Sequence, residues 1–175
     1  MTVFGTGVRA GIVAGVLSGV PSTLHALATR RDPLAATRAA GSLLLPDEAR
    51  SARLLAAAFP VHFGLSVGWG VALAAVLPRR ATTAWGALAG LAIAALDFSV
   101  PGRRTAQIRA LPRWPQVADH LTYGVIAAAA VATARTEDLP RRATVTRSER
   151  AGGWPAGCQG PPVRSTAWRF WRQVR

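Results

Sequence analysis

Gly7, Gly11, Gly15 and Gly19 recur at every fourth position through the apolar run GTGVRAGIVAGVLSGVPSTLH, residues 5–25. Positions four apart share one side of an α-helix, so this spacing draws a groove along a rod. In water each interior glycine costs a helix about 1 kcal/mol relative to alanine. Within a bilayer the backbone finds no solvent partner, so helix is enforced regardless of propensity. Small residues at this spacing then let a second helix approach closely. The repeat predicts a packing seam in a helical membrane protein.

Three more apolar segments follow, giving expected spans at about 10–28, 54–77, 81–100 and 117–134. Each approaches the roughly 20 residues needed to cross a bilayer core. The expected fold is all-α: a four-helix transmembrane bundle over residues 1–135 with glycine-mediated helix packing, embedded in the lipid bilayer. Pro21 and Pro60 fall inside the first two spans and predict kinks. Pro46-Asp47-Glu48 reads as a helix start, with proline early and acids in the first turn. Residues 33–45 carry a faint signal for a short interfacial helix, and the few residues between spans two and three predict an antiparallel hairpin. Ala26-Leu27-Ala28 resembles a cleavage site, but no basic segment precedes the apolar run and Arg9 interrupts it, so an uncleaved first span is expected. Residues 136–175 mix Pro, Gly, Arg, Ser and Thr without periodicity and read as a disordered tail. Its end, Trp168-Arg169-Phe170-Trp171-Arg172, has a composition that could lie on a membrane surface.

The glycine pattern returns in Gly64 and Gly68 of span two, in Gly86 and Gly90 of span three and, more weakly, in Gly124 and Ala128 of span four. Plain tight packing accounts for these better than a sliding surface does.

The formal charge is +13, and all 21 basic residues are arginine. The arginines lie between apolar runs and in the tail, which points to anionic lipid headgroups rather than nucleic acid as the partner. The single cysteine, Cys158, excludes an intrachain disulfide or a thiol-rich metal site.

With four spans, loops one and three fall on the same side. His25, His62, Asp97, Asp119 and His120 then gather near one membrane face, with Arg30, Arg31, Arg103, Arg104, Arg109 and Arg113. Helical phase places Gly7, Gly11, Ser18, Ser22 and His25 in one stripe, and Gly86, Gly90, Ile93 and Asp97 in another. Ionisable groups in lipid are costly and mark pathways, relays or paired structural groups. Several readings stay open. The imidazoles and carboxylates could ligate a divalent metal, although no local motif such as HExxH is present. They could pass a proton or ion. The arginines could line a pocket for an anionic ligand or headgroup. Alternatively Asp97 pairs with an arginine or with His120, and the histidines cap or bridge helix ends.

No nucleophile elbow, phosphate loop or dinucleotide fingerprint is present. Three classes of function follow: a small transporter, channel-like or ion-sensing subunit, alone or as a homo-oligomer; a scaffold whose glycine seams bind another membrane protein; and a membrane-embedded metal-dependent or lipid-modifying enzyme. Loops one and three hold nine arginines against three on the other side before the tail, which predicts that those loops face the cytoplasm and both termini lie outside.

At PSTLHALATRRDPLAATRAAG (21–41) and GRRTAQIRALPRWPQVADH (102–120) the chain resembles a family of small, uncharacterised four-helix integral membrane proteins of actinomycete-type bacteria. The resemblance spans roughly residues 3–134 and stops at the tail. It implies a multi-pass protein of the bacterial plasma membrane. It carries no assigned activity, cofactor or site residue.

Overall fold

The computed structural model describes residues 2–100 and 105–152, the stretch 138–152 by its backbone alone. Every regular element among them is helical: α1 Val3–Leu17, α2 Val20–Ala28, α3 Ala35–Gly41, α4 Ser51–Val76, α5 Thr82–Ser99, α6 Ala106–Arg109 and α7 Arg113–Gly152. Contacts divide the chain into one unit of residues 1–138 and a second beginning at Leu139.

Four stretches are long and apolar enough to cross a membrane: Val3–Ala28, Ser51–Val76, Thr82–Ser99 and Arg113–Glu137. At 1.5 Å per residue the shortest, of 18 residues, spans about 27 Å and the longest about 39 Å, against a hydrocarbon core of about 30 Å. Large apolar side chains cover the outside: Phe4, Phe59, Val76 and Leu88 are each more than half exposed. The interior is filled by small ones, with Ala10, Ala14, Ala58, Ala127 and Ala128 almost wholly buried. A water-soluble bundle places its large hydrophobes inside, because that burial drives its folding. Lipid removes that drive between helices and leaves close packing of small residues instead. Four such helices suggest a multi-pass membrane protein.

The seams are built by backbone approach. A Cβ added at Gly7 would overlap Val71, and one at Gly11 would overlap the Ser66 carbonyl, so α1 lies directly on α4. Gly70, which the sequence reading passed over, faces Gly7 and Gly11 from the other side. On the second seam Gly86 and Gly90 of α5 meet Gly124 and His120 of α7 in the same manner. A central cluster joins these elements: Ala14, Leu73, Leu77, Ile93, Tyr123, Ala127 and Ala128.

Several expectations need correction. Gly19, Gly64 and Gly68 have nothing within 4 Å of an added Cβ and are not at a packing face. The side of α4 toward α1 carries Ser66, Gly70 and Ala74, whose 3.6-residue phase differs from that of Gly64 and Gly68. The second span starts at Ser51 rather than near residue 46. Glu48 is occupied before it, accepting from the Arg50 amide at 2.9 Å and pairing with Arg50 and Arg53 at 3.2 and 3.1 Å. The helix of the fourth span runs on to Gly152, and residues 153–175 of the expected tail lie outside the described residues. The short helix expected within 33–45 is α3, which packs on α4 with Gly41 against the Leu54 backbone.

Two non-glycine residues take left-handed backbone. Arg30, at φ 54°, ends α2, where its amide bonds the Leu27 carbonyl at 3.2 Å and the Arg31 amide bonds that of Ala26 at 2.7 Å. This is the Schellman pattern, here with arginine where glycine is usual. Ala81, at φ 52°, caps α5 after the turn from α4. Far along α7, Arg135 donates from Nη2 to the Ala74 carbonyl at 3.0 Å, placing a cation at the C-terminal end of α4.

Candidate functional site: an interrupted first span

The first span is expected to be one rod bent at Pro21. It is two helices. α1 ends at Leu17 and α2 starts at Val20, with Pro21 in its first turn, where a missing amide costs little. Counting back from Ala28 at 1.5 Å per residue puts Gly19 about 14 Å from the loop-one end, near the middle of a 30 Å core.

An interruption there frees main-chain groups with no water to meet them. Two side chains from other spans supply the partners. Gly15 would bond the amide four residues on if α1 continued. Instead His62 of α4 donates from Nε2 to the Gly15 carbonyl at 2.8 Å. That carbonyl can only accept, so the bond places a proton on Nε2. On the other side of the break, Asp119 of α7 accepts from the Ser22 amide through Oδ1 at 2.9 Å. Thr23 returns its amide to the Gly19 carbonyl at 3.1 Å, and Pro21 has none to place. The polarity is favourable at both ends: an imidazole meets the negative C-terminus of α1, and a carboxylate meets the positive N-terminus of α2.

One residue beyond Asp119, His120 lies between two acceptors. Its Nδ1 donates to the Gln116 carbonyl at 2.7 Å, and its Nε2 stands 2.7 Å from Asp97 Oδ2. With Nδ1 committed as donor, the Nε2···Oδ2 bond holds one proton, carried by either the ring or the carboxyl. The pair is partly open, with 22% of the His120 side chain and 35% of that of Asp97 exposed. Asp119 also interacts electrostatically with both His120 and His62. Buried beside these groups, Tyr123 donates its hydroxyl to the Ser66 carbonyl at 2.5 Å, fixing α7 to α4. Tyr123 was missed from sequence, where a lone tyrosine in an apolar run gives no signal of its partner.

No protein-family model matches the chain, and neither a curated protein nor a solved structure matches it. Its chemistry therefore has to be read from these contacts alone. The five candidates separate into groups rather than surrounding one centre. Asp97 and His120 form a pair, and His62 and Asp119 hold the break. His25 sits apart, its ring edge-on to Trp114 with centroids 4.6 Å apart. Gly7, Gly11 and Ser18 are buried and Ser22 and His25 half-buried, so the expected stripe stays on the less exposed side of both helices. Among the described residues no three of His, Cys, Asp and Glu converge as a metal site would require. Arg103 and Arg104 lie outside the described residues. Arg30, Arg31 and Arg109 belong to the segments joining spans at the loop-one and loop-three end, and Arg113 is the first residue of α7.

Proposed function

We propose that this protein is a small proton- or ion-conducting or ion-sensing subunit of the bacterial plasma membrane, acting through the interrupted first span. The observation that carries this reading is the break itself, held at both ends by ionisable side chains. An uninterrupted helix satisfies its own main chain, whereas irregular backbone at membrane depth is tolerated where it is buried in protein or lines a cavity. Discontinuous helices with charged partners are how many transporters build midplane sites. Here Asp97 and His120 share a proton near one face, Asp119 follows on the same helix, and His62 continues to the break. Each can hold and release a proton without a metal. Glycine seams between α1 and α4 and between α5 and α7 keep the four groups in register.

The test is proton flux into proteoliposomes carrying an internal pH dye, under an imposed potential. Wild type should acidify or alkalinise the lumen faster than empty vesicles, and Asp119→Asn at equal incorporation should fall to the empty-vesicle rate. Equal flux by the two proteins contradicts the proposal. A second reading, a scaffold that binds another membrane helix or a second copy, draws on Gly64 and Gly68, which lie open on α4. Crosslinking from those positions in native membranes distinguishes it.

A further inference from the structure

A cleft of about 120 Å³ opens where loop one meets the start of α7. It borders the restarted helix α2 through Ser22, His25 and Ala26, but does not depend on the function proposed for that span. Its polar lining is Ser22, His25, Gln116, Arg31 and Asp32, the last paired with Arg38, and Leu111 and Pro115 are among its apolar walls. That volume is well above the ~10–15 Å³ that holds one water molecule, so a phosphate group fits.

We propose that this cleft binds a single phosphate group, with Arg31 as its principal cation. Three observations support this. First, the acids nearby are already engaged. Asp32 is bonded to Arg38 and to the Leu34 amide, and Glu48 to Arg50 and Arg53. Among the described residues no carboxylate is bonded to Arg31, so its guanidinium stands uncompensated at the cleft. Second, the lining offers neutral donors beside the cation, in the Gln116 amide and the His25 ring, as an oxyanion with several lone pairs requires, while the Ser22 hydroxyl donates to the Gly19 carbonyl at 3.3 Å. Third, the cleft lies where the first span ends and the fourth begins. Trp114, edge-on to His25, is 62% exposed, the placement of an interfacial tryptophan, and Arg113 beside it is exposed as well. The same phosphate chemistry is offered by an anionic lipid headgroup and by a free phosphate in solution.

The full-length protein in detergent is titrated with short-chain phosphatidylglycerol and, separately, with inorganic phosphate, and bound species are counted by native mass spectrometry. Two variants probe the cleft: Arg31→Gln removes the cation, and Ala36→Phe fills the space at unchanged charge. Arg79→Gln, in the turn between α4 and α5, is the control for non-specific charge. Each cleft variant should weaken binding about tenfold, the scale of a lost hydrogen bond to a charged group, while Arg79→Gln changes nothing. Phosphatidylglycerol binding that inorganic phosphate does not displace identifies a lipid headgroup; displacement identifies a free phosphate; both outcomes support the site. Equal losses in Arg31→Gln and Arg79→Gln, or undiminished binding of both probes in Ala36→Phe that retains the wild-type elution profile, overturns it.

Discussion

Asp119 and Ser22 are 97 positions apart, and the carboxylate of one accepts the main-chain amide of the other at 2.9 Å. The bond ties the fourth span to the restart of the first. It predicts a split between two substitutions. Asparagine keeps an oxygen for the Ser22 amide, so Asp119→Asn should fold and melt near wild type. Alanine leaves that amide without a partner, and Asp119→Ala should lose about 1–3 kcal/mol. Melting of the purified proteins in one detergent checks this.

Glycines at equal spacing should respond unequally to alanine. At Gly11 the new methyl meets the Ser66 and Val67 backbone, which cannot rotate away as a side chain can. Gly11→Ala should therefore destabilise by about 1–3 kcal/mol. Gly19→Ala, Gly64→Ala and Gly68→Ala meet nothing within 4 Å and should be neutral or better. Abundance in membranes and melting temperature across the set provide the measurement.

At Arg30 and Ala81 the left-handed backbone predicts the opposite sign. Such a conformation costs a non-glycine residue about 1–2 kcal/mol. Ala81→Gly should raise stability by up to about 1 kcal/mol, after the added freedom of glycine in the unfolded chain is subtracted. Arg30→Gly should gain less, because it also removes a cation from the C-terminal end of α2.

Loop one should loosen in acid. The Arg38 guanidinium, with the Leu34 amide, holds the Asp32 carboxyl below its ordinary value. The Arg50 amide and then the Arg53 and Arg50 side chains do the same for Glu48. A group lowered on folding contributes above its unfolded pKa and loses that contribution as pH falls through the folded value. Both carboxylates lie in loop one, between the spans, so the effect is local: faster amide exchange over residues 29–50 below about pH 4, with the spans unchanged.

Much of this architecture is legible in residue order. Apolar length places the last three spans to within about four residues at each end, because hydrocarbon thickness dictates it, but the first span starts at Val3, seven residues before the expected position. The pairing of Asp97 with His120 was among the readings left open, since two spans entering from one loop bring their ends together. The break in span one was not legible. Proline at position 21 fits a kinked rod and a restarted helix equally well, and what decides between them is the pair of partners, His62 and Asp119, supplied by distant spans. Equal spacing likewise could not separate Gly11 from Gly64, because which side of α4 faces α1 is set by Ser66, Gly70 and Ala74 together.

The proposed function requires the first span to be interrupted inside the membrane at a point ions can reach. Gly19→Cys, in a background with Cys158→Ser, tests it by labelling with a small membrane-impermeant thiol reagent. Leu88→Cys, on the outer surface of α5, serves as the lipid-facing reference. The account predicts that Gly19→Cys reacts when reagent is applied from the side of loops one and three, and that Leu88→Cys stays inert from either side. Reaction at Gly19→Cys no faster than at Leu88→Cys would contradict it.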